Sequence, residues 1–237
     1  SRGALTAGRE DAEHALFPYG TVDKVYASRG NTGPRTFIRD AETGKVWEPF
    51  SDWGAFQYKT ERRISKNLEG TKIVFEETNQ DFGLSFGYSW EFSPRYGFVR
   101  QVRLANLSAR PRRLSVLDGL MNILCPGISN HLQTELSCLT EAYKDNVVDT
   151  ASGMAIFSLS SLVTDKAMPA EGLGASVAWF KTGRPAELSL DGKAISDFTA
   201  GKQFRPCLRA CGKRGDFFAH MEIDVAAGGE ESWIVCA

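Results

Sequence analysis

From Phe82 to Phe92 the chain alternates without a break. Phe82, Leu84, Phe86, Tyr88, Trp90 and Phe92 share one face, and Gly83, Ser85, Gly87, Ser89 and Glu91 share the other. A period of two marks a β-strand, because successive Cβ atoms point to opposite sides of a sheet. At about 3.3 Å per residue such a strand runs roughly 36 Å, against an ordinary five or six residues. That length predicts a large sheet within a big sandwich. The aromatic face reads as core, which makes Trp90 a packing residue. The opposite face is small where charged residues are usual. Gly83, Ser85, Gly87 and Ser89 are therefore expected to line a concave or partner-facing side, where close approach is needed.

The same pattern predicts further strands at Gln57–Ser65, Lys72–Thr78, Phe98–Ala105 and Arg113–Leu124, with shorter candidates at Val22–Ala27, Arg35–Arg39 and Lys45–Phe50. Polar links join the central five, which predicts an antiparallel meander. Leu132, Leu136, Leu139 and Tyr143 fall at helical spacing behind Ser129 or Asn130 as cap. Strands are expected again at Ala155–Val163, Ala175–Lys181, Glu187–Leu190, Phe217–Asp224 and Ser232–Cys236, with Asp191-Gly192 and Gly228-Gly229 as hairpin turns. The predicted fold is all-β: a large antiparallel β-supersandwich with one or two short helices.

Composition narrows the function classes. The 237 residues suit one large all-β domain. Lys plus Arg is 28 and Asp plus Glu is 29, a net charge of −1; the basic excess of a nucleic-acid binder is missing. No apolar run approaches the ~20 residues of a membrane span. The five cysteines (Cys125, Cys138, Cys207, Cys211, Cys236) form no disulfide framework or zinc pattern by spacing. Unpaired thiols point to a reducing, cytoplasmic setting. The chain opens without Met and stops in a strand pattern, which reads as a domain cut from a longer protein.

Candidate chemistry is sparse. His14, His131 and His220 are scattered, and no nucleophile elbow or P-loop occurs. No cofactor or metal is expected. Alternation puts Glu76 and Glu77 on opposite faces, so they cannot act as a pair in their strand. Asp118 shares the apolar stripe of Leu114, Val116, Leu120 and Leu124, so it must be paired or functional. A salt bridge to Arg100 or Arg103 is the expected role. Sugars present flat C–H faces and many hydroxyls, which aromatic rings and guanidinium groups match. Trp47, Trp53, Tyr58 and Arg62 are the candidate carbohydrate contacts.

Trp47 to Leu124 resembles the N-terminal domain of cellobiose-phosphorylase-like glycoside phosphorylases. The resemblance rests on Val46-Trp47-Glu48-Pro49-Phe50, Tyr58 through Arg63, Gly97-Phe98-Val99-Arg100, Val102 through Ser108, and Arg112-Arg113-Leu114-Ser115-Val116. Where such phosphorylases often continue with an acidic Tyr-x-Glu-like segment, this chain has Gly119-Leu120-Met121-Asn122. The resemblance implies a β-supersandwich of galactose-mutarotase type, residues 1–237 as one domain near the N-terminus of a glycoside phosphorylase or hydrolase. It implies a non-catalytic domain that packs on an (α/α) catalytic barrel of the same chain, with an oligosaccharide or polysaccharide and a second copy of the chain as further partners. No catalytic residue carries over, because the family's catalytic acid lies in the barrel. Two alternatives stay open: an autonomous mutarotase-like enzyme using His131 or His220 with a carboxylate, and an interaction module without sugar affinity.

Overall fold

The computed structural model describes residues 14–163 and 172–237. Two antiparallel sheets make up the fold. The strands are β1 (Gly33–Asp40), β2 (Val46–Trp47), β3 (Thr60–Lys66), β4 (Lys72–Asn79), β5 (Leu84–Ser93), β6 (Gly97–Asn106), β7 (Arg112–Met121), β8 (Lys144–Asp149), β9 (Met154–Leu159), β10 (Ala175–Lys181), β11 (Glu187–Ser189), β12 (Arg209–Cys211), β13 (Phe217–Val225) and β14 (Glu230–Cys236). The larger sheet has nine strands in the order β12-β8-β9-β10-β14-β6-β5-β4-β3, and the smaller has five, β11-β13-β7-β1-β2. This is the all-β sandwich that the alternation predicts.

The core lies between the sheets. Leu84, Phe86, Tyr88 and Trp90 of β5 meet Leu114, Val116 and Leu120 of β7 and Phe217, Met221 and Ile223 of β13 in one buried cluster. The aromatic stripe is therefore core, and Trp90 packs as expected, 4% exposed. Phe92 departs from the stripe and is 60% exposed, beyond the reach of the second sheet. A second cluster covers the outer face of the small sheet. There Phe37, Leu117, Met121 and Phe218 pack under Ala194 and Phe198, which belong to the helix α5 (Lys193–Thr199). One outer face is thus capped by a helix, and much of the other is left open.

Several connections differ from the sequence reading. The meander contains β3, β4, β5 and β6, but β7 crosses to the other sheet. Polar turn chemistry serves a corner between sheets as well as a hairpin, so the turn residues alone do not separate the two. Gly228-Gly229 likewise joins β13 of one sheet to β14 of the other. Asp191-Gly192 leads into α5, with the Asp191 carboxylate accepting from the Lys193 amide at 3.0 Å. Val22–Ala27 is the helix α1 rather than a strand. The segment before β3 folds as α2 (Asp52–Gln57), capped by the Ser51 side chain. The predicted central helix breaks at Leu136 into α3 (Asn130–Glu135) and α4 (Ser137–Ala142), with Ser129 capping the first as predicted. Leu132 and Tyr143 reach the core, whereas Leu136 and Leu139 stay about half exposed. Strands β8 and β12 have no counterpart in the sequence reading. The part of the lead-in that falls on residues 1–13 lies outside the described residues.

Candidate functional site

The open outer face of the nine-stranded sheet holds a depression of about 380 Å³. Its floor and walls come from β4, β5, β6 and β14: Glu76, Ser85, Gly87, Ser89, Gln101 and Ser232 among them, with Arg103 and Glu230 on one side and Lys72 on another. The small-residue face of β5 forms the bottom. Because alternate positions carry hydrogen or a hydroxymethyl group, neighbouring long side chains stand as banks around a furrow. Ser85, Gly87 and Ser89 line it as predicted. Gly83 does not. It sits in the turn before β5 with φ +64, and a Cβ there would lie 3.3 Å from the Cβ of Ser108. Gly87 is needed for a different reason, since its Cβ would stand 3.1 Å from the carbonyl oxygen of Phe75 on β4.

The furrow mixes polar side chains with apolar surface from Val74 and Ala105, and its charges are balanced. Arg103 Nε donates to Glu230 Oε2 at 2.7 Å, with both side chains more than half exposed. Lys72 Nζ stands 2.7 Å from Glu91, which also accepts from Ser89 Oγ at 3.3 Å. Such a surface offers many donors and acceptors at little net charge. That suits a neutral, hydroxyl-rich ligand better than an anion.

The four candidate carbohydrate contacts lie away from the furrow, and two of them, Trp47 and Arg62, bond the buried carboxylate of Glu77. Trp47 is fully buried and donates its indole N–H to Glu77 Oε1 at 2.9 Å. Arg62 Nε donates to Glu77 Oε2 at 2.5 Å, and Arg62 Nη2 donates to the Ser51 carbonyl at 2.6 Å. The Phe50 amide donates to Glu77 Oε2 at 2.8 Å. Phe50 has φ +64, a left-handed conformation unfavourable for a bulky residue, and the Glu77 bond helps to hold it there. Tyr58 is 9% exposed and donates its hydroxyl to the Val46 carbonyl at 3.0 Å. Trp53 differs. It is 74% exposed on α2, three residues before Phe56 at 90%. Trp47, Tyr58 and Arg62 are thus committed to protein contacts, while Trp53 faces outward. Sequence alternation placed Glu77 away from Glu76, but nothing local disclosed that Glu77 collects donors from three segments.

Asp118 does meet Arg100. Arg100 Nη1 lies 2.8 and 2.9 Å from the two carboxylate oxygens, and both side chains are fully buried. Trp233 Nε1 donates to Asp118 Oδ2 and Thr36 Oγ1 donates to Oδ1, each at 2.6 Å. Arg100 also lies over the Tyr88 ring at 4.3 Å. Every carboxylate oxygen is taken, so this carboxylate is structural.

Two more polar depressions flank the base of α5. One, of about 300 Å³, is lined by Glu141, Asp191, Lys193, Lys213, Arg214 and Asp216 among others. Burial raises the Asp216 carboxyl above its ordinary range, against the bidentate Arg214 at 3.0 and 3.1 Å. Nearby, burial pushes the Cys125 thiol up to about 11 and lowers the Lys144 ammonium. All five cysteines are unpaired. No histidine lines these three depressions. His131 is exposed at the start of α3. His220 meets Glu187 and Glu222, each at 3.4 Å, on the outer face of the small sheet. Among the described residues no cluster of three or more His, Cys, Asp or Glu could hold a metal ion, and no helix is long and apolar enough to cross a membrane.

Fold and furrow together define a two-layer antiparallel β-sandwich with one capped and one open polar face. Comparison of the sequence with protein-family models and with curated proteins finds no match. Among solved structures, the chain is similar to a 4-alpha-glucanotransferase from Thermococcus litoralis with TM-score 0.30 and 11% identity, over 87% of this chain. It spans about a quarter of that enzyme (27%), and a likeness at that level assigns no activity.

Proposed function

We propose that this sandwich is a carbohydrate-associated accessory domain of a glycoside phosphorylase or hydrolase, packed on an (α/α) catalytic barrel of the same chain. The furrow over Gly87 carries the reading. It is open and hydroxyl-lined, its charges are balanced, and beneath it the other face of β5 packs in the core through Leu84, Phe86, Tyr88 and Trp90. A saccharide chain laid along β5 would find acceptors and donors from Ser85, Ser89, Gln101, Arg103, Glu230 and Ser232. Trp53 supplies a separate aromatic face on α2, whose start Arg62 braces through the Ser51 carbonyl. Sugar stacking belongs to Trp53 in this reading.

Calorimetric titration of the chain with malto- and cello-oligosaccharides tests the proposal. Saturable weak binding is expected. Ser232→Trp, at an exposed furrow position, should abolish it while leaving the core intact. Trp53→Ala should weaken it roughly fivefold, the loss of about 1 kcal/mol of aromatic contact. Absence of binding to every oligosaccharide by a folded chain would leave only an interaction module. Cleavage or phosphorolysis of oligosaccharides by this chain alone would overturn the accessory role.

A further inference from the structure

The outer face of the small sheet carries a hydrogen-bonded Ser–His–Glu arrangement. His220 on β13 stands directly opposite Glu187 on β11, and Ser115 on β7 is its diagonal neighbour across the β13–β7 pair. Ser115 Oγ lies 2.9 Å from His220 Nε2. His220 Nδ1 lies 3.4 Å from Glu187 Oε2. In the tautomer with the proton on Nδ1, directed at Glu187, Nε2 is free to accept from the hydroxyl. The order is nucleophile, base, orienting carboxylate.

The surroundings hold the imidazole in place. Phe204 stacks on it at 4.9 Å with an interplanar angle of 18°, and Phe198 meets it edge-on at 6.1 Å. Glu222 places a second carboxylate 3.4 Å from Nε2, where positive charge appears once the serine proton arrives. Arg39 on β1 stands directly opposite Ser115 across the β1–β7 pair. Its guanidinium lies over the Phe198 ring at 4.6 Å, and its Nη2 is buried without a hydrogen-bond partner. A donor with no acceptor, on the residue facing a serine already bonded to a base, is suited to receive an oxyanion. Ser115 and Arg39 are both partly exposed at this outer face.

We propose that Ser115, His220, Glu187 and Arg39 form an acyl-transfer site that hydrolyses small carboxylic esters. Ser115 Oγ attacks the carbonyl carbon while Nε2 takes the hydroxyl proton. The Oγ–C bond forms and the developing oxyanion is received by Arg39. Collapse breaks the bond from that carbon to the alcohol oxygen, and the alcohol leaves with the proton from Nε2. Water, giving a proton to the same nitrogen, then attacks the acyl-serine. The carboxylic acid is released and Ser115 is restored. Glu187 is a positioning residue, acting through His220. The site lies on the opposite outer face from the furrow and stands or falls independently of sugar binding.

The test uses the full chain with p-nitrophenyl acetate and with a fluorophosphonate probe. Saturable ester hydrolysis and a single adduct mapped to Ser115 are expected. Ser115→Ala should lose both. His220→Gln should lower kcat by about a hundredfold. Glu187→Gln should lower kcat about tenfold at nearly constant KM, with partial recovery in Glu187→Asp, a pattern that loss of a surface contact would not give. Near-UV circular dichroism checks that each variant is folded. If wild type forms no adduct at Ser115, or Ser115→Ala hydrolyses the ester at the wild-type rate, the proposal is wrong; the labelling result decides even if a variant does not fold.

Discussion

Asp216 is held in two conflicting ways. Arg214 grips both its oxygens and the Asn122 amide donates to it at 3.1 Å, which favours the anion. Burial opposes this and is the larger effect, so the carboxyl is raised above its ordinary 3.8. A raised carboxyl favours folding while it is protonated. That contribution is complete below the unfolded value and is lost as pH rises through the folded value. Asp216→Asn keeps an acceptor for the Asn122 amide and removes the titration. Its urea midpoint, compared with wild type from about pH 4 to pH 7, should fall less as pH rises. A steeper fall in the variant would mean that Arg214, rather than burial, governs the site. Sequence reading could not find this residue, because Asn122 and Gly192 approach Asp216 only in the fold. By contrast, Asp118 was legible. One carboxylate among Leu114, Val116, Leu120 and Leu124 requires a partner whatever the topology, and alternation alone places it in the stripe.

At the scale of elements, two of the crossings between sheets, β6–β7 and β13–β14, show what local pattern missed. Asn106 ends β6, and its fully engaged amide ties both corners together. Nδ2 donates to Arg110 at 2.7 Å within its own corner, and to Val225 and Ala226 at 3.2 and 3.0 Å in the β13–β14 corner. Oδ1 accepts from the amide and hydroxyl of Ser108 at 3.0 and 2.6 Å. The Leu-x-Asn-Leu-Ser segment was visible as a turn, but its work is to bind another turn more than a hundred residues away. Asn106→Ala removes from a buried position an amide that bonds three carbonyls and both donors of Ser108. It should cost about 2–3 kcal/mol in urea unfolding. Asn106→Asp should be nearly as harmful, since it retains the acceptor and loses the donors. A cost below about 0.5 kcal/mol for both would mean water replaces the amide and the corners are held by backbone alone. Elements of three to six residues were the least legible. Strand β12 is too short for periodicity to register. Val22–Ala27, rich in β-formers, is a short helix in which Asp23, Lys24, Tyr26 and Ala27 are exposed, and a stretch of six residues gives propensity too little weight to set its type.

Across the whole molecule a buried polar network ties the two layers together, beside the smaller one in which Trp47 meets Glu77. Arg100 and Trp233 come from the nine-stranded sheet, and Asp118 and Thr36 from the five-stranded one. Their bonds run across the layers, whereas the surrounding Leu, Phe and Val contacts have no direction. The large sheet was readable from the length of one alternating strand, and the Arg100–Asp118 pair from the stripe. The exchange of partners through Thr36 and Trp233 was not, because it requires the register of four strands. The network predicts an asymmetry between single and double substitutions. Asp118→Asn removes the anion but keeps Arg100 buried and charged, and Arg100→Met does the converse. Each should cost about 3–5 kcal/mol. Arg100→Met combined with Asp118→Leu exchanges both charges for apolar volume, leaving Trp233 and Thr36 as neutral donors. That double variant should be more stable than either single one, with a coupling above about 2 kcal/mol in a urea double-mutant cycle. Additive losses would show that the pair is not the joint between the sheets and that apolar packing sets their alignment. A strong coupling accompanied by lost near-UV circular dichroism in the double variant would show that the ion pair fixes how the layers meet, separately from how firmly they adhere.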